Sequence, residues 1–152
     1  MTTFTIPTGA RQIAVTEADQ EVVSSVTQVP IVGLGVNMEA NGKYHVRAQV
    51  AFQLDGGASG FKFSFVAPTG DIAVRLRVDN GETPAVVTDQ YRDTGSTVND
   101  AIAEDGYHFM TIDGIVDATA AGSFYLRFAQ NVSDASAIRV LTGSYLEVTK
   151  LN

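Results

Sequence analysis

Lys43-Tyr44-His45-Val46-Arg47-Ala48-Gln49-Val50-Ala51-Phe52-Gln53-Leu54 changes character at every residue. Tyr44, Val46, Ala48, Val50, Phe52 and Leu54 form an apolar set, and Lys43, His45, Arg47, Gln49, Ala51 and Gln53 a mostly polar one. A period of two sustained this long puts the sets on opposite faces of a strand; a helix would scatter both around its axis. The stretch predicts a half-buried strand.

The same period recurs downstream. Phe61, Phe63 and Phe65 oppose Lys62 and Ser64, and after the turn Pro68-Thr69-Gly70-Asp71 the residues Ile72, Val74, Leu76 and Val78 oppose Arg75, Arg77 and Asp79. Asp79-Asn80-Gly81-Glu82 supplies turn residues that tolerate positive φ. Val86 to Tyr91 reads as a shorter strand, and 92–105 as a long polar loop with one helical turn near Val98 to Ala103. Tyr107 to Asp117 returns to strand, but Met110 and Ile112 fall opposite Phe109 and Ile115, which suggests a bulge or burial on both sides. Phe124, Leu126 and Phe128 alternate with Tyr125 and Arg127, and Ile138 to Thr149 closes the chain, with Gly143 a bulge or bend. Upstream, Glu21 to Val26 and Val29 to Met38 complete the set, the second joined to the opening stretch by Glu39-Ala40-Asn41-Gly42.

About nine strands with regularly spaced turns, and no amphipathic helix for a βαβ crossover, predict an all-β, antiparallel jelly-roll or Greek-key β-sandwich. Residues 18–152 read as that single domain; residues 1–17 lack periodicity and read as an extended N-terminal arm. A chain of 152 residues, 45% hydrophobic and 18% charged, is long enough to bury a core without staples. Cysteine is absent, which removes thiol nucleophiles, thiolate metal sites and disulfides. A net charge of −7 repels phosphate, so nucleic acid is not an expected partner. No stretch is apolar for the roughly 18 residues of a membrane helix, and Met1 to Pro7 has neither the basic nor the apolar part of a secretion signal.

Few residues suggest chemistry. His45 sits on a polar face and His108 at a strand start, and both read as ordinary surface histidines. Asp113 and Asp117 share parity within one strand and read as a solvated face rather than a carboxylate pair. The acidic turns Asp79-Asn80-Gly81-Glu82 and Glu104-Asp105-Gly106 do not match an EF-hand loop. Gly33-Leu34-Gly35 is not a dinucleotide fingerprint, because Met38 stands where the third glycine belongs and no helix is expected to follow. Asn131-Val132-Ser133 matches the glycosylation triplet without a secretion signal. No Gly-x-Ser-x-Gly elbow occurs. No catalytic residue, cofactor or metal ligand is expected, and the chain is not expected to be an enzyme. Ala51, Gln53, Val66, Ala73 and Tyr125 instead give several strands contact-friendly outward positions, such as subunit interfaces use.

Gly122-Ser123-Phe124-Tyr125-Leu126-Arg127-Phe128-Ala129-Gln130, followed by Ile138-Arg139-Val140-Leu141-Thr142-Gly143-Ser144-Tyr145-Leu146-Glu147-Val148-Thr149-Lys150-Leu151, resembles the closing hairpin of small β-sandwich proteins from tailed-bacteriophage virion gene clusters. Gly42-Lys43-Tyr44-His45-Val46-Arg47, Gly60-Phe61-Lys62-Phe63-Ser64-Phe65 and Asp113-Gly114-Ile115-Val116 resemble that group's earlier strands in the same order, so the likeness spans roughly 20–151. The resemblance implies a jelly roll similar to tumour-necrosis-factor-like and complement-type heads, which form trimers, and it brings no catalytic residues. It implies a virion protein of the capsid-decoration (cement), head-fibre or tail-fibre kind; the expectation among these is a homotrimeric decoration protein that binds across subunits of the major capsid protein on the outer surface of the virion, made in the host cytoplasm. Thr2, Phe4, Ile6, Arg11 and Ile13 of the arm would then reach the capsid. The alternative is a receptor- or glycan-binding module of a fibre or baseplate, with Tyr91 as the sugar-stacking residue.

Overall fold

The computed structural model describes residues 6–56, 59–79, 87–92, 97–100 and 106–152. Twelve strands lie among them: β1 (Arg11–Val15), β2 (Gln20–Val22), β3 (Val29–Met38), β4 (Gly42–Leu54), β5 (Phe61–Val66), β6 (Gly70–Asp79), β7 (Val87–Arg92), β8 (Thr97–Asp100), β9 (Gly106–Ala118), β10 (Gly122–Ala129), β11 (Ile138–Val140) and β12 (Tyr145–Lys150). One sheet runs β1-β12-β4-β9-β6-β7, with β11 and β2 continuing it beside the far end of β4; the other runs β3-β10-β5-β8. Every pair among the described residues is antiparallel. The two sheets lie face to face as in a jelly roll: β1 meets β3 on one side, β7 meets β8 on the other, and Val74, Leu76 and Val78 of β6 belong to the shared core.

The two inner faces are the apolar sets read from the sequence. Tyr44, Val46, Val50, Phe52 and Leu54 of β4 are buried against Phe61, Phe63 and Phe65 of β5 and Phe124, Leu126 and Phe128 of β10. The rings meet edge-on or stacked: Phe52 meets Phe63 edge-on at 4.9 Å, and Phe65 stacks on Phe124 at 5.4 Å. At the start of β4, Asn41 takes a positive φ of 59°, and Gly42 lets the buried Tyr44 ring fold back over it. A Cβ on Gly42 would stand 2.5 Å from Tyr44 Cε2. The Tyr44 hydroxyl accepts the Glu39 N–H at 2.8 Å, which closes the turn.

Several expectations are corrected. Strand β9 carries neither a bulge nor two buried faces. Its register with β4 is unbroken from Gly42↔Ala118 to Leu54↔Gly106, with His108, Met110, Ile112, Val116 and Ala118 inward. Tyr107, Phe109 and Ile115 simply sit on the outer face. The irregularity lies in β3, where residues 31–34 oppose Leu126 alone and Gly33 takes a φ of +87°. The helical turn expected at Val98 does not form: Thr97–Asp100 pairs with β5 as β8, and 101–103 lies outside the described residues. The resembling segments Gly122–Gln130 and Ile138–Leu151 are not a hairpin, because β10 belongs to the smaller sheet and β11 and β12 to the larger one. Of the expected arm 1–17, Arg11–Val15 is extended but hydrogen-bonded along β12 as the sheet's edge strand. Nine strands become twelve because β1 and β8 are added and the last segment divides at Gly143.

Candidate interaction surface

One side of the sandwich brings two sheet edges together, β1 from the larger sheet and β3 from the smaller. Lys150 donates its N–H to Ala10 O at 3.0 Å and Thr16 donates to Ser144 O at 2.9 Å, so the even-numbered residues of this segment bond to β12. The N–H and C=O groups of Arg11, Ile13 and Val15 therefore point away from it, on the side where β3 lies, and the Gly33 backbone stands against the Val15 carbonyl. Their side chains stand on the outer face, while Ala14 packs inward.

The β3 edge is treated differently. Gln20 accepts the Val32 N–H at 2.8 Å and donates to Pro30 O at 3.0 Å, so one side-chain amide occupies the place of a neighbouring strand. Gln12 donates to Asn37 O at a longer 3.5 Å. Capping of this kind discourages edge-to-edge pairing.

Three chain breaks fall at one level: 16–19 between β1 and β2, 141–144 between β11 and β12, and the bulge in β3. Polar side chains knit them. Thr16 Oγ1 donates to Leu141 O at 3.0 Å, Thr142 Oγ1 to Thr16 O at 3.1 Å, and Asp19 accepts the Thr142 N–H at 2.8 Å. Ser144 Oγ accepts the Ala51 N–H at 3.0 Å, standing in for the ladder partner that β4 lacks there. The result is a groove of about 590 Å³ lined by Val15, Glu17, Ala18, Asp19, Gln20, Val32 and Gly33. Around it apolar side chains remain in solvent: Ile13 is 53% exposed, Val15 47% and Val32 73%.

The residues singled out from the sequence are dispersed. Thr2 and Phe4 lie outside the described residues. Ile6 is buried, its N–H donated to Glu39 Oε1 at 2.7 Å and its carbonyl accepting Lys150 Nζ at 2.7 Å. Lys150 also meets Glu39 Oε2 at 2.6 Å, and that hydrogen bond, then the one from Ile6, holds the Glu39 carboxyl below its ordinary range. Ile6 is thus unavailable for contact, for want of exposure. Arg11 is exposed beside Glu147 at 3.6 Å, and Ile13 borders the groove region. Tyr91 falls on β7, and its side chain lies outside the described residues.

His45 finds a partner the local sequence did not offer, Asp113 at 3.0 Å across the sheet. His108 is corrected from surface to core. It is buried 5.4 Å from the Phe52 ring, and neither nitrogen has a hydrogen-bond partner among the described residues. Asp113 and Asp117 do lie on a solvated face, opposite Arg47 and Lys43. Glu147, Arg47, Asp113 and Arg75 stand in register across β12, β4, β9 and β6, a row of alternating charge that favours the pairing. Among the described residues no three His, Asp or Glu side chains gather to hold a metal, and no helix could cross a membrane. The acidic turns at 79–82 and 104–106 lie largely outside those residues. Ala51, Gln53, Val66 and Tyr125 are half-buried and Ala73 exposed. Tyr107 (69%) and Phe109 (45%) expose aromatic rings on the outer face. The edge itself was missed, because Val15 and Val32 mean nothing until β1 and β3 are neighbours.

No protein-family model matches the chain, and no curated protein matches its sequence. Among solved structures it is similar to Eiger TNF from S. frugiperda, at 9% identity and a TM-score of 0.42 over 93% of this chain and 92% of that one. It is also similar to the infectious bursal disease virus VP2 subviral particle (11%, 0.27, over 95% and 38%) and to a CBM4 structure (14%, 0.27, over 88% and 92%). The chain thus spans well under half of the VP2 chain. Likenesses of this depth carry no argument about what the protein does; the strand order alone makes it a jelly-roll β-sandwich.

Proposed function

We propose that the chain is a bacteriophage virion structural protein, a homotrimeric capsid decoration protein that stabilises the head by binding across major-capsid subunits. It works without a catalytic step. Support comes first from the apolar side chains left in water at the β1–β3 side, Ile13, Val15 and Val32. The phage-like segments add to it: they fall in order on β4, β5, β9, β10, β11 and β12, the frame of the sandwich. A standard interface of about 1,600 Å² would strengthen capsid joints by burial alone. The test is the mass of the purified chain in solution, together with mass spectrometry of virions of the phage that encodes it. A trimer present in stoichiometric copies on the virion is expected; virions lacking the chain would refute the proposal.

A second reading has one observation in its favour. Tyr107 and Phe109 present exposed rings on one face of β9, as a sugar-stacking surface requires. A receptor- or glycan-binding module would bind an array of host surface glycans, and Tyr107→Ala would abolish that binding. Absence of any glycan signal would remove this reading.

A further inference from the structure

The groove past the end of β1 joins apolar walls to carboxylates that have no cation. Val15 and Val32 line it while standing 47% and 73% exposed, and Glu17 and Asp19 belong to the same lining. Elsewhere outward acids are neutralised: Glu21 and Asp55 meet Arg139, Asp113 meets His45, Asp117 meets Lys43 and Glu147 meets Arg11. The Glu17 carboxylate has no partner among the described residues, and that of Asp19 accepts the Thr142 N–H through one oxygen and leaves the other unpaired.

The walls are set before anything arrives. Thr16 and Thr142 bond across the two chain breaks, and the Thr142 N–H aims the Asp19 carboxylate. Gly33, at a φ of +87°, lets β3 approach so closely that a Cβ there would stand 3.1 Å from the Val15 carbonyl oxygen. A partner therefore meets a surface that needs little further ordering.

These features select the occupant. An anion is repelled. A bare metal ion lacks ligands, since no third His, Asp or Glu gathers with the two carboxylates among the described residues, and it would leave both valines in water. A lysine or arginine side chain meets both needs at once: its methylene stem covers Val15 and Val32 while its charged end reaches Glu17 or Asp19. The volume of about 590 Å³ exceeds what one such side chain fills, so aliphatic neighbours enter with it.

We propose that this groove docks a lysine- or arginine-bearing aliphatic segment of the major capsid protein. The chemistry of the segment follows from the groove; that the capsid protein supplies it rests on the decoration reading above.

The experiment is co-sedimentation of the purified full chain, over a range of concentrations, with capsids of the encoding phage assembled without it. Glu17→Lys and Val32→Asp are each expected to weaken binding by about tenfold or more. Asp19→Asn, which keeps an acceptor for the Thr142 N–H, is expected to weaken it less. Asp71→Lys reverses an exposed carboxylate on β6, on the far side of β9, and is expected to bind as the wild type does. Thermal unfolding verifies that each variant keeps the fold. If the wild-type chain does not bind, the decoration reading falls and the docking with it. If the wild type binds and Glu17→Lys and Val32→Asp bind equally well, the decoration reading stands and the groove is overturned. An equal loss in Asp71→Lys would reduce the effect to net charge and overturn the groove as well. Weakening confined to the groove variants, with a salt dependence that is shallower for Glu17→Gln than for the wild type, supports the docking.

Discussion

Gln130 stands where the chain leaves the smaller sheet for the larger, and its amide is spent entirely on that crossing. Oε1 accepts the N–H groups of Ser25 at 3.0 Å and Asp134 at 3.2 Å, while Nε2 donates to the carbonyls of Asp134 and Ser136. The side chain is fully buried, so a leucine there would leave backbone groups of two loops without partners. Gln130→Leu is expected to cost about 2–3 kcal/mol in urea unfolding. Glu39 makes a comparable tie that depends on pH. Lys150 first, and the Ile6 N–H second, lower its carboxyl pKa in the folded chain, so the charged form is the one the fold favours. This contribution is complete above the ordinary carboxylate range and is lost as pH falls through the lowered value. The Ile6 amide resonance, followed by NMR, should titrate in that acid window, and Glu39→Gln should abolish the titration.

Elements differ in how plainly the sequence announces them, and the reason is how much of each is settled locally. The long central strands β4, β6 and β10 bury every second side chain, so their alternation is written in the residues. β1 and β8 are short edge strands of five and four residues, held by partners more than a hundred and about forty positions away. Nothing within Arg11–Val15 says that Leu146 and Val148 lie beside it. His45 and Asp113 were likewise legible as polar outward residues but not as a pair, since register depends on the whole β4–β9 ladder. His108 misled for a related reason: a polar side chain took an inward position that only parity could have assigned. The turn into β4, however, was legible, and it carries its own test. Gly42→Ala would push a methyl group into the Tyr44 ring, which is buried and cannot swing aside. A loss of about 1–3 kcal/mol is expected in thermal or chemical unfolding.

At the scale of the whole molecule, the two ends of the chain close the larger sheet together. β1 pairs with β12, Gly9 donates to Lys150 O at 2.7 Å, and Leu151 donates to Lys43 O at 2.7 Å, so the first and last described segments meet beside β4. This has a consequence for any capsid contact made near the N-terminus. An arm that merely reached out could be removed without harm to the domain. A segment that supplies the edge strand cannot, and its contacts would be as rigid as the sheet that carries them. Deleting residues 1–17 removes buried Ile6, strips β1 from β12 and takes Thr16 out of the network around Thr142 and Ser144. The expected loss is about 3–5 kcal/mol, from burial of one large aliphatic side chain and the orphaned hydrogen-bond partners. Thermal unfolding of the truncated chain checks this against the intact one. An unchanged midpoint would return Arg11–Val15 to the status of a free arm.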